Sequence, residues 1–206
     1  MPIADNKIYL ASKSPRRREL LRQIGIDFEV VLLRDLAPRG PDVTEQVLPD
    51  ELPYDYVSRV TQEKAEAAWT IMQHRRLAMR PVLAADTTVV IHDQILGKPV
   101  DQNEARAMLS QLSGQQHAVL TSIAVVSTQG RWHLTQRSEV RFATLSEQEM
   151  SDYCLSAEPY DKAGGYGIQG TAARFISHIS GSYSGIMGLP LFETTQLLRQ
   201  AGIHIP

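Results

Sequence analysis

Hydrophobic and polar positions change period along this chain, and the changes predict alternating strands and helices. Residues 8–25 give the clearest example, because a short alternating segment is followed by a polar loop and then by leucines spaced for one helix face. Ser14 is a favourable N-cap, Pro15 suits the first helical position, and Gly25 suits the end of a helix. The segment is therefore predicted to be a strand, a tight loop and a helix.

The same criteria predict the other elements, and together they favour an α/β fold. Further strands are expected at residues 27–33, 81–93, 117–126, 132–142 and 174–179. Further helices are expected at residues 54–78, 101–112 and 146–156 and between Pro190 and Gly202, with capping boxes at Asp101/Glu104 and Ser146/Glu149. We expect a single domain over residues 1–206, with a mixed twisted sheet flanked by helices and two lobes around a central cleft.

The net charge, the cysteine count and the spacing of the histidines exclude several classes of function. The net charge of −2 excludes the global basic field of many nucleic-acid-binding proteins, so an anion site would have to be local. Cys154 is the only cysteine, which excludes an intrachain disulfide and a multi-cysteine zinc site and indicates a small core residue. The six histidines lack metal-ligand spacing. No signal peptide is recognised and no apolar run reaches about 18 residues, so a cytoplasmic protein without membrane contact is expected.

Three arginines occupy the first turn of the predicted helix after Ser14. Arg16, Arg17 and Arg18 lie where the helix dipole is positive, which is unfavourable for cations. An anion at the helix start would relieve this cost, with arginine forks and the Ser12 hydroxyl as donors. The alternative is a solvated basic face on a surface helix.

Asp86 interrupts the most apolar segment of the chain, residues 81–93. A carboxylate inside such a strand is costly to bury unless it is paired or holds a metal, which favours a functional role. The alternative is that the segment is two short pieces with Asp86 at an exposed bend.

Two lysines are further candidates for contact with an anion. Lys64 lies beside an apolar helix stripe, where it either extends to solvent or contacts phosphate, and Lys98 lies on a tight G-K-P turn.

The segment 158–170 has four glycines within seven residues and cannot form a packed helix or strand. Its backbone is expected to pass close to another group. Together with Glu45 in an acidic loop, the unusual polar positions combine cations and carboxylates, the set that a polyphosphate with a divalent metal requires.

The motifs resemble those of the Maf family of nucleoside triphosphate pyrophosphatases over nearly the whole chain. They are A-S-K-S-P-R-R-R-E-L-L at 11–21, E-K-A at 63–65, A-D-T at 85–87, G-K-P at 97–99, L-S-G at 112–114, D-K-A-G-G-Y-G-I-Q-G at 161–170 and G-L-P-L at 188–191. The run at 161–170 resembles the branch that acts on dTTP and UTP rather than the branch that acts on 7-methyl-GTP.

The resemblance implies roles for individual residues. Asp86 matches the catalytic acidic residue that activates water and contributes to a Mg²⁺ or Mn²⁺ site. The positions that set base preference are matched by Arg16, Thr87 and Gln169, and the polar positions of the phosphate site by Ser12, Arg17, Lys64 and Lys98. Glu45 matches the metal-binding acid of the D-V-D-E motif, written here as D-V-T-E at 42–45. Because this motif departs from the family pattern, Asp42 and Asp35 compete with Glu45 for the role.

The expected activity is hydrolysis of dTTP, UTP and modified pyrimidine nucleotides to the monophosphate and pyrophosphate. Two alternatives stay open: a non-catalytic nucleotide-binding regulator of septum formation, since the family is linked to cell-division arrest, and a pyrophosphatase for altered purine nucleotides. The expected partner is a nucleoside triphosphate, with neither nucleic acid nor membrane. The oligomeric state is open, a homodimer being one option.

Overall fold

The computed structural model describes residues 6–34 and 40–205. Its strands are β1 Ile8–Ala11, β2 Phe28–Val30, β3 Val82–Ile91, β4 Gln94–Leu96, β5 Gln116–Val126, β6 Arg131–Phe142 and β7 Ile176–Ser180. Its α-helices are α1 Pro15–Gln23, α2 Pro53–His74, α3 Gln102–Leu112, α4 Glu147–Cys154, α5 Tyr183–Ile186 and α6 Leu191–Gln200. Short 3-10 helices occur at Pro159–Asp161, Ala163–Gly165 and Thr171–Phe175.

The strands form one seven-stranded sheet in the order β2-β1-β3-β5-β6-β7, with β4 paired to β3. Strand β1 runs parallel to both β2 and β3, whereas the pairs β3–β4 and β6–β7 are antiparallel. The mixed sheet and the α/β class predicted from the sequence are therefore confirmed. Within the described ranges, no helix is both long and apolar enough to cross a bilayer.

The chain divides into two compact units. The first comprises Met1–Asp86, Ser122–Thr135 and Gly188–Pro206, and the second comprises Thr87–Thr121 and Gln136–Met187. The division point in β3 falls directly after Asp86, so the A-D-T motif contributes residues to both units.

In the first unit, α2 packs one face against the parallel strands. Ala65, Ala68, Trp69 and Met72 repeat at helical spacing and are buried in a cluster that includes Tyr9 of β1. Burying a side chain of the size of Met72 stabilises the fold by roughly 1.5–3 kcal/mol. This packing fixes the face of α2 that carries the polar residues described below.

The second unit has its own core, centred on aromatic side chains. Phe142 lies edge-on to Tyr166, with ring centroids 4.9 Å apart, and Tyr153 contacts Phe175 in the same way at 5.5 Å. Cys154 is buried among them, as the sequence predicted.

Several boundaries differ from the sequence predictions. Strand β2 has three residues rather than seven, because its edge position leaves only β1 as a partner and β1 pairs with it over three residues. The strand predicted at 174–179 begins at Ile176, after a 3-10 helix. Residues 181–188, for which no helix was predicted, contain α5, which is capped by the Ser182 side chain. Strand β4 was not predicted. It follows a tight turn at His92 and Asp93, which have positive φ angles of 49° and 61°.

The two predicted capping boxes have different outcomes. At α4 the Ser146 side chain accepts from the Glu149 backbone and the Glu149 side chain accepts from the Ser146 backbone, so the box is complete. At α3 the Asp101 side chain caps the Glu104 N–H, but the Glu104 carboxylate accepts from the Val100 N–H instead. The capping box at α3 is therefore only half formed.

His117 makes the second unit sensitive to mild acid. The residue is 3% exposed, and burial lowers the pKa of its imidazole to about 4. An unfolded chain binds this proton near pH 6.5, so between pH 6.5 and 4 the unfolded state holds more protons and stability falls as the pH falls. We expect this group to remove about 3 kcal/mol of stability between pH 7 and pH 4.

Urea unfolding of the parent and of His117→Gln at both pH values measures this effect, because other titrating groups cancel in the difference. His133→Gln, at an exposed histidine, is the control and should keep the parental pH dependence. An unchanged pH dependence in His117→Gln would show that His117 is not the titrating group.

Candidate functional site

The start of α1 has the geometry that the sequence predicted. Ser14 is in an extended conformation and its side chain accepts from the Arg17 N–H, while Pro15 opens the helix. The Arg17 side chain folds back over this turn, where Nη1 donates to Ser12 Oγ at 3.2 Å and Nε donates to the Gly188 carbonyl at 2.8 Å. The structure therefore brings Ser12 and Arg17 together and connects them to the G-L-P-L motif.

Lys64 of α2 lies between two carboxylates. Its Nζ is 2.7 Å from Asp86 Oδ1 and 2.7 Å from Glu45 Oε1. The lysine side chain is only 14% exposed, so it does not extend to solvent, and the Asp86 side chain is 16% exposed. Strand β3 is continuous through Asp86, so the interpretation of two short pieces joined by an exposed bend is wrong. Asp86 is a half-buried carboxylate paired with an ammonium group.

Arg17 interacts electrostatically with the two carboxylates that flank Lys64. Burial lowers the pKa of the Arg17 guanidinium, Asp86 and Glu45 oppose that shift, and Arg16 adds to it. Burial also raises the pKa of the Tyr56 phenol to about 12, and the negative charges of Asp86 and Glu45 reinforce the rise. Charges on α1, α2, β3 and the 40–52 segment therefore act on one another within the first unit.

We name these five charged residues the charged cluster: Arg16, Arg17, Glu45, Lys64 and Asp86. It has three cations and two carboxylates, so its formal charge is positive. Such a set attracts an anion, and its arginines can hold phosphate oxygens in the bidentate manner that a lysine cannot provide.

Two residues that the sequence did not single out hold the segment that carries Glu45. The Tyr56 hydroxyl donates to the Glu45 carbonyl at 3.0 Å. Arg59 donates to both oxygens of Glu51, at 2.6 and 2.9 Å, and to the Gln46 carbonyl at 3.0 Å. Hydrogen bonding from Arg59 lowers the pKa of Glu51 to about 2, so this clamp persists throughout the neutral range. The clamp fixes the backbone at Glu45 and directly after it.

The competing acidic residues have different surroundings. Asp42 accepts from Arg34 through both oxygens, from the backbone N–H at 2.7 Å and from Nε at 2.8 Å. Its carboxylate is thus taken up by Arg34, while Glu45 points to Lys64. This arrangement favours Glu45 for the metal-binding role. Asp35 lies outside the described residues.

The other three candidate residues belong to the second unit. Thr87 Oγ1 accepts from Thr121 Oγ1 at 3.0 Å, which fixes it on β3. Lys98 and Gln169 are both exposed. Their two segments meet, since the Gly97 carbonyl accepts from the Gly164 N–H at 2.9 Å.

The glycine segment passes close to side chains of the same unit, as predicted. A Cβ on Gly164 would lie 2.9 Å from Val89 side-chain atoms, and Gly164 has a φ of +70°. Glycine is required there both by space and by backbone conformation. The exposed Gln169 is therefore presented by a tightly packed segment.

A divalent metal fits the donor set of the charged cluster. Mg²⁺ is usually held by one or two carboxylates together with substrate phosphates rather than by a complete protein cage. Glu45 and Asp86 provide two carboxylates around one ammonium group. The described part of the chain contains no group of three or more histidine, cysteine or acidic side chains suited to a metal. Phosphate oxygens would have to complete such a site.

A model of the Maf-like protein family matches residues 7–201 of the chain. The chain belongs to the Maf-like family. The Maf-like match spans every candidate residue described above, including both acids of the charged cluster and the glycine segment.

Curated relatives match the Maf-like chain over 96% or more of its length. The dTTP/UTP pyrophosphatase of Nitrosospira multiformis is 54% identical over 205 residues, covering 100% of this chain and 99% of that protein. The proteins of the same name in Nitrosomonas europaea and Ralstonia nicotianae are 52% and 53% identical, covering 98% and 96% of this chain and 98% and 95% of their own lengths. Among solved structures, the Ham1 protein of Staphylococcus aureus aligns with a TM-score of 0.40 at 14% identity, over 66% of this chain and 72% of that chain.

Proposed function

We propose that this Maf-like protein hydrolyses dTTP and UTP to the nucleoside monophosphate and pyrophosphate. The observation that carries the proposal is the placement of Lys64 between Glu45 and Asp86, beside the arginines of α1. Relatives about half identical over their full length are named dTTP/UTP pyrophosphatases, which supports the same substrate class here. The proposal extends to modified pyrimidine nucleotides.

In the proposed mechanism, Asp86 is the general base. One of its oxygens accepts from Lys64, which orients the carboxylate, and the other takes the proton of the attacking water. The phosphoanhydride bond between the α and β phosphates breaks, and its electrons leave with pyrophosphate. Negative charge spreads over the phosphate oxygens during transfer, and Arg17 and Lys64 stabilise it.

Glu45 and Asp86 would hold a Mg²⁺ or Mn²⁺ ion together with the substrate. That ion would supply charge neutralisation at the phosphates. The oxygen donors and the absence of a histidine or cysteine cluster from the described ranges favour a hard cation.

We assign base selection to Gln169, Thr87 and Arg16, following their positions in the family motifs. The Gln169 amide can both donate to and accept from a pyrimidine edge, and a site built around such a group rejects bases that leave it unpaired. From the same family motifs, we assign phosphate binding to Ser12 and Lys98. A cytoplasmic location, a homodimer and a role in cell division stay predictions of the sequence.

A nucleotide panel tests the activity. Purified protein is incubated with dTTP, UTP, CTP, GTP and ITP, and pyrophosphate release is measured for each. We expect dTTP and UTP to be the best substrates. Strong binding without turnover would favour the non-catalytic regulator, and a preference for ITP would favour the altered-purine enzyme.

Removal of divalent metal should abolish turnover, because the ion that would join the substrate phosphates to Glu45 and Asp86 and neutralise the charge on the phosphates is then missing. The measurement is pyrophosphate release from dTTP with excess EDTA, followed by addition of Mg²⁺ or Mn²⁺ in excess over the chelator. Activity should return with the metal. Full turnover in EDTA would contradict the metal assignment.

A further inference from the structure

The proposed base-reading residue is carried by a tight turn. The Gly170 N–H donates to the Gly167 carbonyl at 3.0 Å, so residues 167–170 form a β-turn with Gln169 at its third position. Gln169 is exposed on this turn. Its position therefore depends on what holds the two ends of the turn.

The Glu158 carboxylate holds the exit of the turn. Its Oε2 accepts from the Thr171 N–H at 2.8 Å, and its Oε1 accepts from the Ala172 N–H at 3.3 Å and from the Tyr153 hydroxyl at 3.0 Å. Burial tends to raise the pKa of Glu158, but the hydrogen bonds from these N–H groups and from the side chains of Tyr153 and Thr171 together outweigh burial and leave the pKa lowered. The ionised carboxylate is thus the form that fits, since it accepts at both oxygens.

The glycines at both ends of the turn reflect contact with side chains. A Cβ on Gly170 would lie 2.2 Å from Glu158 Oε1, and a Cβ on Gly167 would lie 2.8 Å from Lys162 Cε. Lys162 Nζ in turn donates to the Glu158 carbonyl at 2.6 Å. Glu158 and Lys162 therefore form one support beneath the turn, and no other residue type fits at Gly170 without displacing Glu158.

We propose that Glu158 is a positioning residue for nucleotide selection, which acts by fixing the turn that presents Gln169. The inference rests on the proposed function. It differs from a purely structural role, because loss of the support should change which base is accepted more than it changes turnover of the best substrate. A side chain that only stabilised the fold would lower all activities together.

The variant Glu158→Gln tests this inference. Its amide nitrogen cannot accept a hydrogen bond, so at least one N–H beside the turn loses its partner. We expect the ratio of kcat/KM for dTTP over CTP to fall about tenfold, with kcat for dTTP changing less than threefold. Glu149→Gln is the matched control, since Glu149 caps α4 in the same unit and lies outside the turn. It should keep the parental ratio.

A second variant, Thr171→Pro, tests the same inference if Glu158→Gln does not fold. Thr171→Pro removes the N–H that donates to Glu158 Oε2 and keeps the carboxylate. Thr171 is the first residue of a 3-10 helix and Gly170 before it is extended, so proline is compatible with the backbone. We expect the same loss of selectivity. An unchanged dTTP/CTP ratio in folded Glu158→Gln or folded Thr171→Pro overturns the inference while leaving the proposed function intact. A parent protein that hydrolyses no nucleoside triphosphate overturns both.

Discussion

Replacing Asp86 by asparagine is expected to lower the rate of pyrophosphate release by roughly 10²- to 10⁴-fold, the usual contribution of a general base. The asparagine oxygen can still accept from Lys64, and Lys64 keeps its second partner, Glu45. The variant should therefore melt close to the parent. Nucleotide binding should persist or tighten, because one negative charge facing the phosphates is removed.

The measurement is a melting curve, a dTTP binding titration and a pyrophosphate-release assay on the same protein. Asp42→Asn is the matched control, because Asp42 is also paired with a cation in the first unit but lies with Arg34. It should retain turnover near the parental value. An Asp86→Asn protein that melts much earlier yet keeps its specific activity at low temperature would make Asp86 a structural ion-pair partner only.

Replacing Lys64 by methionine is expected to lower kcat/KM for dTTP about a hundredfold, close to 3 kcal/mol of transition-state stabilisation. Methionine keeps an unbranched side chain but leaves Glu45 and Asp86 without their shared ammonium group. The charged cluster then holds two cations and two carboxylates, and its attraction for phosphate falls. Much of the loss should appear in KM.

The control for Lys64→Met is Lys7→Met. Lys7 also pairs with a glutamate, Glu29 at 2.8 Å, but its side chain is 36% exposed. Exposed ion pairs contribute little, so this variant should keep both its stability and its activity. If Lys64→Met and Lys7→Met have the same kinetics, Lys64 does not contact the substrate or organise the carboxylates.

The strongest local signals of the sequence predicted the start of α1 and the strand around Asp86. Ser14 and Pro15 define a helix start by properties of single residues, so no tertiary information is needed. Asp86 was conspicuous because its charge contradicts its apolar neighbours, a conflict that marks functional positions. The sequence did not identify the partner of Asp86. Lys64 is 22 residues away along the chain, and its position beside an apolar stripe is equally typical of a lysine that extends to solvent.

The residues that hold loops were not predictable in the same way. Glu158 and Arg59 look like ordinary charged residues, and their roles depend on backbone groups that only the folded chain places nearby. The four glycines near Glu158 were the available signal, because closely spaced glycines indicate a close approach without naming the approaching group. For Arg59, the available signal was its position three residues after Tyr56 on α2, because this spacing places both side chains on the same face of the helix.

The most direct test of the account is the identity of the products. Phosphorus NMR of a reaction of the parent protein with dTTP and Mg²⁺ resolves the monophosphate, the diphosphate, pyrophosphate and orthophosphate. Hydrolysis between the α and β phosphates predicts equal amounts of dTMP and pyrophosphate, with neither dTDP nor orthophosphate. With Asp86→Asn, the amounts of dTMP and pyrophosphate formed over the same period should be at least about a hundredfold smaller. Formation of dTDP and orthophosphate, or products at the parental rate from Asp86→Asn, would contradict it.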